Sequence, residues 1–304
     1  MNLSYKTKLI IALGLVYVIW GSTFLATKVA LKTLTPMLLI AIRFTVGGFG
    51  LLAFTFIKRE ALPTKKQLYN ACFIGILLSG LGNGSLAFAI QFIPSGIVAL
   101  FASAIPIWMF IINYLGFEKK KASKSGMIGL FLGFFGLVYL IDPMASLRQN
   151  IAIFPVLVVV FGSISWAYAS VKTKDLDLPK SRLQSAGIQM FAAGIFALLG
   201  SLLIENGQIL ALQNTSMNTV WAVGYMIFIG SYVGYLSFMW LVSNAPLSLV
   251  STYAYVNPIV ALILGWLFLG EPITPRTMMA SAIILSGVML ITWRNSGSKN
   301  FRAR

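Results

Sequence analysis

Residues 85–107 read SLAFAIQFIPSGIVALFASAIPI, and residues 237–259 read SFMWLVSNAPLSLVSTYAYVNPI. At an offset of 152 they share Ser85/Ser237, Pro94/Pro246, Val98/Val250, Ala102/Ala254, Pro106/Pro258 and Ile107/Ile259. A nearby offset of 146 pairs Trp20 with Trp166, Thr27 with Thr173 and Lys28 with Lys174. One unit is written twice, and both copies are apolar throughout.

The rest of the chain has the same character. Of 304 residues, 58% are hydrophobic and 10% charged, whereas a soluble domain carries about a quarter charged residues. Such a chain cannot cover itself with a polar surface, so it belongs in a membrane. Its charges are confined to short islands. Between them lie ten expected helices, near 8–27, 35–57, 68–91, 94–117, 124–141, 153–171, 183–204, 218–243, 246–270 and 275–293. The longest charge-free runs each hold two spans, because about 20 apolar residues cross the hydrocarbon core. The turns fall at QFIPSG, where Pro94 suits a helix start, and at SNAPLS around Pro246. Unbroken apolar blocks such as AIILSG (282–287) exclude a β-barrel, whose strands alternate apolar and polar residues. Lys6 and Lys8 before the first apolar run mimic a secretory signal, but nine further spans follow and no small-residue cleavage site is evident, so the run reads as an uncleaved helix. One cysteine, Cys72, and no histidine leave no disulfide framework, metal site or cofactor site to propose.

The basic residues orient the helices, since Lys and Arg accumulate in short cytoplasmic loops. With both termini inside, the inner segments carry Lys6, Lys8, Lys58, Arg59, Lys65, Lys66, Lys119, Lys120, Lys121, Lys124, Lys172, Lys174, Lys180, Arg182, Arg294, Lys299, Arg302 and Arg304. The outer loops carry only Lys28, Lys32, Arg148 and Arg276, and Arg43 lies within the second helix. The net charge of +16 then belongs to cytosol and anionic headgroups, and no nucleic-acid partner is expected.

Each copy has five helices, 9–141 and 153–293, with 294–304 a basic cytoplasmic tail. Five is odd, so the second copy enters the membrane from the opposite face. This explains why FEKKKASK (117–124) in the first copy becomes LGEPITPR (269–276) in the second: the first loop faces inside and the second outside. Inverted repeats of this kind rock around a site near the midplane to open each side in turn; the plainer reading is a duplicated ten-helix bundle with another role.

The stretches IWGSTFLATKVAL (19–31), IRFTVGG (42–48), the paired Pro-x11-Pro of the fourth and ninth helices and LGEPITP (269–275) resemble the EamA-type exporters of the drug/metabolite transporter superfamily over residues 9 to 293. The resemblance implies ten helices in two five-helix units, a bacterial inner membrane, and export of small metabolites or amino acids. Glu118 is followed by lysines where Glu271 is followed by Pro272, so a role for Glu271 does not transfer to Glu118.

Candidate pathway residues are polar and aromatic side chains at helical spacing. They are Trp20, Thr23 and Thr27 in the first helix; Asn83 and Gln91 in the third; Ser163, Trp166 and Ser170 in the sixth; Tyr235 in the eighth, at the position of Asn83; and Tyr253 with Asn257 in the ninth. Polar groups facing lipid lack partners, which favours an inward placement; hydrogen bonding between helices competes as an explanation. Arg43, about two turns or roughly 10 Å into its helix, is an embedded charge that demands an anion or water, and its fork suits a substrate carboxylate. Pro106 and Pro258 are candidate hinges, because each removes a helix N–H and frees a carbonyl, of Ala102 and of Ala254. Gly126, Gly129, Gly133 and Gly136 read as close packing, and Trp221, Trp266 and Trp293 as an interfacial belt. Glu271 is expected to cap the start of the tenth helix.

All seven acids, Glu60, Glu118, Asp142, Asp175, Asp177, Glu205 and Glu271, sit at span ends or in loops, so no midplane proton relay is visible and the energy coupling stays open. The expectation is an all-α integral-membrane exporter of amino-acid-like or other carboxylate-bearing metabolites, not an enzyme, with a homodimer left open. The alternatives on the same fold are a multidrug exporter of cationic compounds and a lipid flippase. A membrane enzyme is more distant, because its acid, base and nucleophile sets are missing.

Overall fold

The computed structural model describes residues 4–112, 124–141, 153–245, 247–250 and 252–295, which are helical with no strand among them. Seven helices are long and apolar enough to cross a bilayer: α1 (Tyr5–Ala30), α2 (Pro36–Ile57), α3 (Lys65–Ile90), α4 (Ser95–Ile112), α6 (Ile153–Lys172), α7 (Arg182–Ile204) and α8 (Met217–Val242). Three shorter apolar helices complete the series, α5 (Ser125–Leu140), α9 (Tyr253–Leu269) and α10 (Pro275–Leu290).

The boundaries follow local chemistry. Thr64 and Gln67 form a reciprocal capping box at the start of α3, and Ser181 and Ser216 cap α7 and α8 through their hydroxyls. Pro94 precedes the first residue of α4, where its fixed φ and absent N–H cost nothing. Other boundaries depart from the sequence reading. α1 runs past Lys28 because that side chain turns to the Ile90 carbonyl at the end of α3, a favourable place for a cation. The segment between the expected helices 183–204 and 218–243 holds a six-residue helix, Gln208–Gln213. Gly207, at a left-handed φ of 77°, turns the chain there, and Gln208 Nε2 donates back to the Ser201 and Glu205 carbonyls, each at 2.6 Å.

The fourth helix is broken. Its first segment ends at Ser103, the Ala104 N–H turns back to Phe101 O at 3.1 Å, and the helix resumes at Ile105 ahead of Pro106. Pro258 instead lies inside a continuous α9. The interruption in that stretch falls earlier, between a short helix Leu247–Val250 and Tyr253. Pro246, Ser251, Glu118, Asp142 and Arg148 lie outside the described residues, as does the tail beyond Asn295.

The chain divides into two compact units, and each draws on both halves of the sequence. The first comprises Met1–Leu25, Pro94–Ile153 and Val233–Arg304; the second comprises Ala26–Ile93 and Phe154–Tyr232. In the second unit α2 packs directly on α7. A Cβ placed on Gly48 would fall 2.4 Å from Phe191 N, and one placed on Gly194 would fall 2.4 Å from Thr45 N. These two contacts are one contact made twice: at the offset of 146, Gly48 becomes Gly194 and Thr45 becomes Phe191. In the first unit α5 packs on α10 in the same way. A Cβ placed on Gly136 would fall 3.0 Å from Ile284 N and one placed on Gly287 would fall 2.6 Å from Gly133 N, pairs that exchange at an offset of 151. Such reciprocity is the mark of a two-fold relation between equivalent surfaces, and it requires glycine where backbones approach this closely.

Candidate functional site

Two clusters of functional side chains emerge, one in each unit. In the first unit, the Trp20 ring lies 5.0 Å from Phe238 and 5.2 Å from Tyr253, with Phe238 and Tyr253 5.8 Å apart. Both contacts of Tyr253 are edge-on, at 90° and 89°, the geometry aromatic quadrupoles favour. The three rings fill the space among themselves, so they form a packed apolar wall rather than an open cage. Gly234 seats Trp20: a Cβ there would lie 2.6 Å from Trp20 Nε1. Asn257, with its amide nitrogen turned to two acceptors, donates to the Tyr17 and Tyr253 carbonyls, both at 3.2 Å. The Tyr17 and Thr252 hydroxyls bond each other. α1 and α9 are thereby tied polar to polar beside the aromatic cluster.

In the second unit, Arg43 projects from α2 with no ion pair among the described residues. Its guanidinium lies over the Phe44 ring at 4.9 Å, and Nη1 is 3.9 Å from Met226 Sδ. Its Nε is buried with no hydrogen-bond partner among the described residues. Met226 also accepts from the Thr27 hydroxyl at 3.4 Å. One turn along α2 from Arg43, the Gly47 carbonyl accepts from Tyr232 at 3.0 Å. A thioether and an aromatic face compensate a guanidinium weakly. The arrangement is electrostatically incomplete.

Met226 and Tyr232 both belong to a π-helical segment of α8, Met226–Val233, and α3 carries another at Ile76–Asn83. Single π turns concentrate at functional sites because they re-aim side chains and loosen the backbone ladder. The sequence reading missed both segments. Their only trace there is glycine density, SGLGNG (79–84) and GSYVG (230–234).

The expected pathway residues do not gather in one unit; Thr27, Ser163 and Ser170 fall in the second. Trp20, Thr23, Tyr235, Tyr253 and Asn257 fall in the first, and Arg43, Asn83, Gln91 and Trp166 in the second. Trp166 rests on Gly82, where a Cβ would lie 2.8 Å from its ring. This repeats the Trp20–Gly234 contact in its own unit, since the offsets that pair the tryptophans and the Asn83/Tyr235 positions also pair Gly82 with Gly234. Asn83 ends the π segment of α3, and Gln91 is exposed just past the end of that helix, not within it. Several expected hydroxyls are spent inside their own helices. Thr23 donates to Trp20 O at 2.6 Å, Ser163 to Val159 O at 2.9 Å and Ser170 to Trp166 O at 2.8 Å, the back-bonding usual for Ser and Thr in helices. Phe238 and Tyr17 were not singled out, because apolar and lone aromatic positions in an apolar helix carry no distinguishing signal. Trp221 and Trp266 are 72% and 56% exposed, as a lipid-facing belt requires; the Trp293 side chain is outside the description.

Glu271 corrects an expectation. It does not reach the tenth helix. Its carboxylate accepts from Ser95 N and Ser95 Oγ, both at 2.8 Å, at the start of α4. Gly270, left-handed at φ 66°, reverses the chain so that Glu271 N bonds Gly265 O at 3.1 Å, a Schellman-like end. α10 has its own cap, Thr274, whose hydroxyl accepts from Thr277 N. Glu205 plays the matching part at the start of α2. It accepts from Thr35 Oγ1 at 2.6 Å, Met37 N at 2.8 Å, Leu38 N at 3.2 Å and Ser201 Oγ at 2.7 Å. Both carboxylates are bound to helix starts, where the dipole favours them.

Comparison with known proteins agrees with this architecture. The EamA-like transporter family model matches twice, over residues 7–141 and 153–293. The uncharacterized inner membrane transporter YedA of Escherichia coli K12 is 33% identical over 282 residues, covering 92% of this chain and 89% of its own. A probable amino-acid metabolite efflux pump of the same organism is 24% identical over 93% of this chain and 95% of its own. A solved crystal structure aligns with 95% of this chain and 98% of its own at a TM-score of 0.56 and 18% identity, which shows a shared fold.

Proposed function

The chain belongs to the EamA-like transporter family, and from that premise we propose that it exports small carboxylate-bearing metabolites, amino-acid-like compounds foremost, across a bacterial inner membrane. The observation that carries this reading is Arg43: a half-buried arginine on α2 whose buried Nε has no hydrogen-bond partner among the described residues and whose guanidinium meets a ring and a thioether. A substrate carboxylate supplies what the site lacks, through the paired N–H geometry that arginine offers. The similarity to a probable amino-acid metabolite efflux pump points the same way. A cationic cargo fits poorly: the embedded charge is positive, and the rings of Trp20, Phe238 and Tyr253 pack on one another instead of opening toward a cation.

In this reading, residues 9–141 and 153–293 are inverted repeats, all ten apolar helices span the membrane, and both termini lie in the cytoplasm. Pairs of tied ends support the threading. Tyr5 donates to Asn244 O, Glu205 meets Thr35, Glu271 meets Ser95 and Gln67 meets Asp177; each pair joins ends that up-and-down threading sets on the same side. Alternating access follows from the repeats, with Pro106, beside the break in α4, and Pro258 as hinges and the π segments as the yielding parts of α3 and α8. The remaining pathway residues, Thr23, Asn83, Gln91, Trp166, Tyr235 and Asn257, line or buttress the route.

The test is a cargo panel. Cells producing the protein are loaded with amino-acid analogues, hydroxy acids and cationic dyes, and efflux is compared with cells carrying an empty vector. Faster efflux of the carboxylates with unchanged dye retention is expected. Dye efflux without any carboxylate efflux overturns the assignment in favour of a cation exporter.

A further inference from the structure

Away from the transport residues, a groove of about 300 Å³ opens on the first unit, lined by Lys8, Ile11, Ala12 and Leu15 of α1 and by Leu236, Ser237 and Trp240 of α8. The i, i+3 and i+4 spacings place each set on one helix face. Ala12 and Ser237, the small side chains, leave the floor low. Ile11, Leu15 and Leu236 stand beside them, 46%, 36% and 49% exposed. The groove has a polar end and a direction. Lys8 is exposed at one end, and Leu15 lies two turns away, about 10 Å along the helix axis. At the Lys8 end the rings of Tyr5 and Trp240 sit 6.3 Å apart, and the Tyr5 hydroxyl donates to Asn244 O at 2.6 Å. A Tyr–Trp pair beside a lysine marks the headgroup level of a bilayer, so the groove starts there and descends into hydrocarbon.

The charge pattern selects the occupant. The first acidic residue in the sequence is Glu60, and none lies between Glu205 and Glu271, so neither helix brings an anion near Lys8. Lys6 adds a second positive charge one residue beyond Thr7. We infer that the groove is a binding site for an anionic phospholipid: the phosphate meets Lys8, and one acyl chain lies over Ala12 and Ser237 between Ile11, Leu15 and Leu236. Ala12 and Trp240 adjoin the Trp20 cluster, but the test reads bound lipid and not cargo flux, so its failure and that of the cargo reading are distinguishable.

The experiment measures lipid retained by the purified full-length protein, by native mass spectrometry after incubation with phosphatidylglycerol or phosphatidylcholine of equal chain length. The lysine is expected to favour phosphatidylglycerol by about fivefold, the equivalent of ~1 kcal/mol per basic residue near an anionic surface. Lys8→Gln should erase that preference while leaving phosphatidylcholine retention intact. Ala12→Phe should fill the floor and reduce retention of both lipids, and Lys66→Gln, on another segment, should change nothing. Inorganic phosphate without a chain should not compete. Equal retention of both lipids by the wild type, a preference that survives Lys8→Gln, or full competition by inorganic phosphate would overturn the assignment. So would Ala12→Phe altering the oligomeric mass and not lipid retention, which would make the groove a contact between copies of the chain.

Discussion

Replacing Gly48 by alanine probes the α2–α7 contact at its tightest point. The added Cβ would stand 2.4 Å from Phe191 N, 2.7 Å from Phe191 Cα and 2.8 Å from the Gly187 carbonyl. Ordinary contacts of a Cβ begin near 3.4 Å, and every atom in the way is backbone, so no side-chain rotation relieves the clash. The two helices must part by about 1 Å. A gap of that size forfeits roughly a quarter to a half of each dispersion contact along the seam, and overpacking of this kind costs about 1–3 kcal/mol. Gly194→Ala should cost a similar amount, because it places a Cβ 2.4 Å from Thr45 N, the same contact seen from the other copy. Gly14 is the control. Nothing lies within 4 Å of a Cβ there, and glycine to alanine in an open helix position stabilises by about 0.5–1 kcal/mol. Thermal unfolding of fluorescent fusions in detergent, followed by size-exclusion chromatography, reads all three. Destabilisation by Gly48→Ala and Gly194→Ala beside a neutral or stabilising Gly14→Ala is expected. A Gly48→Ala protein as stable as Gly14→Ala, or a large difference between the two equivalent glycines, would refute the reciprocal packing.

Three more outcomes can be checked. Glu205→Gln turns an amide N–H₂ toward donors at Thr35, Met37, Leu38 and Ser201, so melting should fall by the worth of at least one helix cap, about 1–2 kcal/mol; an unchanged melt contradicts the capping role. Glu271→Gln should likewise lower stability more than it alters cargo choice, through Ser95, and a stable variant with lost transport would show a direct role instead. Gly234→Ala and Gly82→Ala should each unseat a tryptophan, Trp20 and Trp166 respectively, and lower transport with folded protein at normal levels; quenching of indole fluorescence by bromoalkyl probes would report the displaced rings, and unaltered quenching in both would count against the seating.

The duplicated stretch around Pro94 and Pro246, together with the apolar runs between charged islands, was enough to read an all-helical membrane chain of two EamA-like copies, because membrane helices satisfy their backbone locally and announce themselves by length and charge. Contacts were less legible. The glycines on α5 were readable as packing, but the exchange of Gly48 with Gly194 needed to be seen in three dimensions, since an offset aligns positions without saying which face meets which. Arg43 stood out from sequence because an embedded charge is rare; that its neighbours would include Phe44 and Met226 was invisible there. Ser163 and Ser170 looked like pathway groups only because a sequence cannot show that a hydroxyl has already bonded its own helix. Glu271 was assigned to the nearest helix start downstream; the left-handed Gly270 that sends it to Ser95 left no mark beyond the glycine itself. The break in α4 and the intact helix around Pro258 show equivalent prolines taking different routes, decided by whether the preceding turn opens at Ala104 or at Thr252.

The most direct test of the account is flux through purified protein in liposomes, comparing wild type with Arg43→Lys and Arg43→Gln at matched protein levels and matched thermal stability. Radiolabelled amino acids and hydroxy acids serve as cargo. The lysine keeps the charge and loses the bidentate fork, and the glutamine loses both, so carboxylate transport should fall modestly in the first and by tenfold or more in the second, about 1.4 kcal/mol of binding at the least. Carboxylate transport by Arg43→Gln at the wild-type rate would contradict the account at its centre.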